Sequence, residues 1–144
     1  MLMSQTPPRF HLAFPVDDLE AARAFYTGLV GCRIGRSSDR WIDFDMFGHQ
    51  VVAHLSPEEC TDSQTAGVDG KSVPVRHFGL VLEWEEWEQL GERFKAAGTE
   101  FVVDPYIRFA GQPGEQGTFF VRDPAGNALE FKTFRDIETQ LFAN

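Results

Sequence analysis

From Arg9 to Val16 the chain alternates, with Phe10, Leu12, Phe14 and Val16 on one side and Arg9, His11, Ala13 and Pro15 on the other. A period of two is that of a strand with one covered face, and Pro15 is expected near its end. The spacing then changes: Leu19, Ala22, Phe25, Tyr26 and Leu29 recur at helical intervals. Asp17 or Asp18 can cap this helix, with Glu20 at capping-box reach, and Gly28 and Gly31 mark its end. Three short strands are predicted next, over 32–36, 40–47 and 50–56. In the middle one Trp41, Asp43 and Asp45 alternate with Ile42, Phe44 and Met46, and Gly48-His49 is a turn candidate.

Residues 57–74 are polar, rich in Gly, Asp, Ser and Thr, and without period, which reads as a connector. The order of elements then recurs. Residues 75–83 read as a strand. Residues 85–97 read as a helix, with Trp87, Leu90 and Phe94 on one stripe and Trp84 packing beside it, and Gly98 closes it. A strand over 101–103, a loop over 104–116 and a hairpin over 117–133 complete the set. The hairpin turns at Asp123-Pro124-Ala125-Gly126-Asn127, where Pro presets one backbone angle and Gly and Asn tolerate left-handed geometry. The predicted organisation is a disordered leader (1–8), a first module (9–56), a connector (57–74), a second module (75–134) and a tail (135–144). Each module runs strand, helix, three strands, so the fold class is α+β.

Four metal-capable residues occupy matching places in the two modules. His11 and His77 open the two first strands, and His54 and Glu130 lie in the two last strands. Side chains two apart share a sheet face. His11 goes with Ala13, away from Phe10, Leu12 and Phe14. His77 goes with Gly79, away from Phe78, Leu80 and Leu82. His54 opposes Val51, Ala53 and Leu55, and Glu130 opposes Leu129 and Phe131. All four therefore point away from the face the helices should cover. If the strands line one surface, imidazoles and a carboxylate converge there, a donor set suited to Fe(II), Mn(II), Zn(II), Ni(II) or Co(II). The plain alternatives are hydrogen-bonded strand histidines and an edge Glu130 paired with Lys132.

Composition narrows the function classes. The chain has 144 residues, is 42% hydrophobic and carries 14 Phe, enough for a packed core. A formal charge of −9 with no basic stripe argues against nucleic acid. Neither of the two cysteines, Cys32 and Cys60, belongs to a C-x-x-C pair, so a disulfide framework and thiolate zinc are not expected. No apolar run approaches membrane-spanning length and the first residues lack signal-peptide character, so the expected location is cytoplasmic.

Three stretches together resemble the vicinal oxygen chelate superfamily of glyoxalase I, fosfomycin-resistance thiol transferases, bleomycin-resistance proteins and extradiol dioxygenases. They are Phe10-His11-Leu12-Ala13-Phe14-Pro15-Val16-Asp17-Asp18-Leu19 with Phe25-Tyr26, then Arg76-His77-Phe78-Gly79, then Phe120 to Glu130 through Asp123-Pro124-Ala125-Gly126-Asn127. The resemblance implies paired βαβββ modules forming a cupped mixed sheet with helices outside, commonly in a homodimer. It also implies a divalent metal held at His11, His77 and Glu130, with a fourth ligand in some members from the strand of His54. The implied function is a metal-dependent enzyme of the glyoxalase or dioxygenase type. Its substrate would be a small molecule whose two adjacent oxygens chelate the ion, which acts as Lewis acid or, as Fe(II), as an O₂ site.

Departures from the family narrow this. Phe120 replaces the Tyr of the extradiol signature, and Ala110-Gly111-Gln112-Pro113-Gly114 holds no His where that signature has one. Both changes count against standard ring cleavage. The carboxylate that glyoxalase I takes from the strand of His54 is absent. A fosfomycin-type thiol transferase and a metal-free drug-sequestering protein are the alternatives. His54 is a fourth ligand or a nearby base, Lys132 can orient Glu130 or meet an anionic substrate, and Arg108 in the long loop is a substrate contact.

Overall fold

The computed structural model describes residues 6–61, 65–68 and 71–143. Of the expected leader, residues 1–5 lie outside the described part, as do 62–64 and 69–70 of the connector and residue 144 of the tail. The chain divides into two compact units, residues 1–60 and 61–144. Each contains one four-stranded mixed sheet with a helix packed on it, so the architecture is α+β, built from two βαβββ modules.

In the first unit β1 (His11–Val16) leads into α1 (Leu19–Arg23), followed by β2 (Arg33–Ser37), β3 (Trp41–Met46) and β4 (His49–Leu55), in the spatial order β1-β4-β3-β2. Asp18 is the cap of α1, its carboxylate accepting from the Ala21 amide at 3.0 Å. Glu20 is therefore one place too early for a capping box and instead meets Arg23 at 3.5 Å. The helix does not stop at Gly28. It widens into a π-helical stretch, Ala24–Val30, and Gly31 ends it at φ 95°. The Thr27 hydroxyl, bonded back to the Arg23 carbonyl at 2.6 Å, lies in this stretch, as side chains that compete for helix carbonyls do. Tyr26 is wholly buried, with the rings of Phe14, Phe25 and Phe44 at 5.3, 4.9 and 5.1 Å. The β3–β4 connection is the two-residue turn Phe47-Gly48, both at positive φ, the type that matches strand twist. His49 starts β4, and its Nδ1 accepts the Phe10 amide at 3.0 Å, a backbone tie.

In the second unit a hairpin of β5 (Thr65–Val68) and β6 (Lys71–Pro74) occupies part of the expected connector. Then come β7 (Phe78–Val81), α2 (Trp84–Ala96), β8 (Val103–Arg108), β9 (Gln116–Arg122), β10 (Ala128–Phe134) and the short α3 (Ile137–Gln140). The sheet order β7-β10-β9-β8 repeats that of the first unit, with the first and last strands parallel in each. The stripe of α2 is buried as predicted, Trp87, Leu90 and Phe94 alike, with Trp87 against Phe119 and Phe94 against Phe119 and Phe131. Trp87 also donates its indole N–H to the Phe131 carbonyl at 2.8 Å. Trp84 is half-buried under the Arg135 guanidinium, 3.5 Å from the ring. Strand β8 lies later than the sequence suggested. Tyr106 and Arg108 are strand residues, and the loop they were expected in is residues 109–115. Pro105 sits at a register shift between β8 and β9, which is where a sheet accepts a proline.

The β9–β10 turn is built by Asp123. One of its oxygens accepts from the Ala125 and Asn127 amides and the other from the Asn127 side chain, each at 2.9 Å. This fixes the register in which Glu130 faces Phe120.

Candidate metal centre

His77 stands immediately before β7, and Glu130 lies opposite Gly79 on the parallel neighbour β10. The lack of a side chain at Gly79 lets the two strands approach and opens the space beside His77. Imidazole and carboxylate meet there, with His77 Nε2 3.2 Å from Glu130 Oε1. Each group is held from behind. His77 Nδ1 lies 2.7 Å from the Pro74 carbonyl. A carbonyl only accepts, so the proton of that contact is on Nδ1 and Nε2 is the open ring position. The Thr118 hydroxyl donates to Glu130 Oε2 at 2.5 Å. The rings of His77 and Phe120 pack in a T, with centroids 4.9 Å apart and planes at 77°. The two side chains are 30% and 16% exposed, open enough for an ion to reach and dry enough to strengthen the contact.

With Nδ1 protonated, a neutral His77 turns a lone pair toward a carboxylate oxygen. Two acceptors at that distance repel unless positive charge lies between them, either a second ring proton or a cation. The spacing suits an N–H···O contact and also suits a cation. Two donors each about 2.1 Å from one ion at 90–110° stand about 3.0–3.4 Å apart. Imidazole plus carboxylate is also the donor chemistry of Mn, Fe, Co, Ni and Zn sites, and the carbonyl behind the imidazole is the usual orienting partner of a ligating histidine.

His11 repeats the arrangement in the first unit. It is exposed on β1, opposite Gln50, and its Nδ1 lies 2.7 Å from Gln50 Oε1. That oxygen accepts, so again the ring presents Nε2. His54 is placed differently from the sequence expectation. It lies opposite Pro15 and Trp41, four residues along the face from Gln50, about 13 Å at strand rise. By register, the counterpart of Glu130 in the first unit is Val52, opposite Ala13, and His54 is the counterpart of Lys132. The first unit thus holds His11 and His54 apart.

Lys132 shares the face of Glu130, but its ammonium lies 5.5 Å over the Phe134 ring, and the group that meets Glu130 is Thr118. Arg108 is on the same face at the end of β8, opposite Gln116, with its guanidinium 5.1 Å from the Phe109 ring. That places it two strands across from β10 and about 13 Å farther along. Among the described residues no three His, Cys, Asp or Glu side chains gather closely enough to hold an ion by themselves. Sequence reasoning missed Thr118, Gln50 and Pro74. Strand pairing is what puts Thr118 on the Glu130 face and Gln50 on the His11 face, and parity within one strand does not give that. A backbone carbonyl such as that of Pro74 leaves no trace in a sequence.

The sequence profile of the Glyoxalase/Bleomycin resistance protein/Dioxygenase superfamily matches residues 10–131, and the chain belongs to that superfamily. The crystal structure of a glyoxalase/bleomycin resistance protein/dioxygenase from Alicyclobacillus acidocaldarius is similar at 37% identity and TM-score 0.71, over 91% of this chain and 94% of that one. Two more distant structures share the fold. One is the fosfomycin resistance protein FosX from Listeria monocytogenes, complexed with Mn(II) and sulfate, at 21% identity, TM-score 0.62 and 91% of each chain. The other is lactoylglutathione lyase from Agrobacterium tumefaciens, at 19% identity, TM-score 0.62, 98% of this chain and 100% of that one. No curated protein matches the chain. Among the described residues no helix is long and apolar enough to cross a membrane.

Proposed function

We propose that this protein is a divalent-metal-dependent enzyme acting on a small molecule with two adjacent oxygens. The observation that carries the reading is the pair His77 Nε2 and Glu130 Oε1, 3.2 Å apart and each anchored from behind. His11, which presents Nε2 from the first unit's own sheet with the Gln50 amide behind it, is the candidate third ligand. The ion is of the Mn(II), Fe(II), Co(II), Ni(II) or Zn(II) type, and the manganese in the Listeria FosX structure supports the choice of class.

When bound, the ion supplies Lewis-acid stabilisation of a developing oxyanion. The chain's own residues do the rest. The Pro74 carbonyl and the Gln50 amide hold the imidazole tautomers, so that Nε2 faces the ion. Phe120 and the apolar residues beside it limit water on one flank. His54 is not a ligand in this reading, because about 13 Å of strand separates it from the position of His11, and a base role for it requires a substrate long enough to span that distance. Lys132, one pleat beyond Glu130, and Arg108 farther along the face meet the distal part of an anionic substrate. Assembly as a homodimer belongs to the same reading and is measured by sedimentation.

The test is turnover by the metal-loaded protein of two substrate types, an epoxide beside a phosphonate and a hemithioacetal of a 2-oxoaldehyde. Metal-dependent turnover of either, lost in Glu130→Gln, supports the proposal. Tight binding of a drug-sized ligand without metal and without turnover makes the protein a sequestering one.

A further inference from the structure

The carboxylate of Glu130 has two oxygens with different neighbours. Oε1 faces His77 Nε2 at 3.2 Å, and Oε2 takes the hydroxyl of Thr118 at 2.5 Å. Thr118 is buried, 6% exposed, and lies on β9 opposite Lys132 and beside Tyr106, so its side chain has little room to turn away. The hydroxyl has a single proton, which this contact uses. An oxygen that accepts a short hydrogen bond has less electron density to give an ion, and the bond fixes the carboxylate plane with Oε1 forward.

We propose that Thr118 is a positioning residue that makes Glu130 a one-oxygen ligand. The inference rests on the metal reading above and adds how the carboxylate is used. A bidentate carboxylate occupies two positions of an ion's coordination shell; one held by Thr118 occupies one. The position left over is what a substrate chelating through two oxygens requires. A one-oxygen carboxylate also disfavours calcium, which takes six to eight oxygens and often a bidentate Glu, relative to ions of preferred coordination six or less. Thr118 therefore acts on both substrate room and ion selectivity without touching either.

The experiment is Mn(II) titration by calorimetry, with a competing Ca(II) titration, on the wild type, Thr118→Val, Thr118→Ala and Thr118→Ser. Difference infrared spectra of the loaded proteins report the spacing of the carboxylate stretching bands, wide for one-oxygen and narrow for two-oxygen binding. The expected result is Mn(II) binding at least tenfold weaker in the Val and Ala variants. Their preference should shift toward Ca(II) and their band spacing narrow, with all three properties restored in Thr118→Ser. The control is Thr133→Val, which removes a buried hydroxyl on β10 that has no hydrogen-bond partner among the described residues and should leave Mn(II) affinity unchanged. Equal affinity, selectivity and band spacing in wild type and Thr118→Val overturn the inference while leaving the metal reading standing. A wild type that binds no Mn(II) overturns both.

Discussion

Gly79 lies so close to Glu130 that a Cβ on it would stand 1.6 Å from the Glu130 carbonyl oxygen and 2.7 Å from its carbonyl carbon. Neither strand can yield without breaking the parallel β7–β10 ladder at the point where the candidate ligands meet. Gly79→Ala should therefore destabilise the protein by about 3 kcal/mol, the upper range for overpacking, and weaken metal binding with it. Gly28→Ala is the matched control. It is exposed, has nothing within 4 Å of its added methyl and lies in the helical stretch after α1. It should stabilise by about 0.5–1 kcal/mol. Thermal unfolding of the two variants checks the opposite signs; equal midpoints would show that the strands separate freely at Gly79.

The two cysteines should differ in reactivity. Burial, with the Asp45 carboxylate adding to it, pushes the Cys32 thiol up to about 12, so it stays protonated and shielded. Cys60 is half-buried beside the Ser56 carbonyl. A thiol reagent at pH 8 should label one cysteine in the native protein and the second only on unfolding. The raised value also has a stability sign. The unfolded thiol loses its proton from its ordinary value near 9, the folded one only near 12, so the folded state binds more protons in between. Stability should fall across that window and the fall should vanish in Cys32→Ala.

The loop over 109–115 is tied down by one carboxylate. Glu115 accepts from the Gly111 amide at 2.6 Å and meets the Arg135 guanidinium at 2.5 Å, and Arg135 in turn covers Trp84. The Gly111 amide first, then Arg135, hold the Glu115 carboxyl below the ordinary carboxylate range. A lowered value means the tie is present above that range and is lost as pH falls through the folded value. Hydrogen exchange at the Gly111 amide should accelerate on acidification, and Glu115→Gln should show that fast exchange already at pH 7. Exchange independent of pH in the wild type, after correction for its intrinsic rate, would contradict the tie.

Much of this molecule is legible in its sequence, because alternation and helical spacing are local. The order of the main strands and helices and the repeat follow from local patterning, and within each strand parity tells which side chains share a face. What fails is what register decides. His54 looks like the counterpart of Glu130 until strand pairing shows that Val52 holds that place and His54 matches Lys132. Which residue faces which across a ladder depends on the partner strand, and one sequence does not carry that. Strand β8 was hidden for a different reason: Pro105 and polar residues made it read as loop, and pairing with β9 overrides that local preference. Thr118 went unnoticed because a threonine in a strand is ordinary; only its contact with Glu130 distinguishes it.

The central claim is that His77 and Glu130 share a divalent ion. It is tested most directly by titrating Mn(II) into chelator-stripped wild type, His77→Ala, Glu130→Gln and His11→Ala, with circular dichroism to confirm that each is folded. The account predicts one ion per chain in the wild type and a loss of at least a hundredfold in affinity in the first two variants, with a clear loss in the third. Folded wild type that binds no divalent ion, or binds it equally after both His77 and Glu130 are replaced, would contradict it.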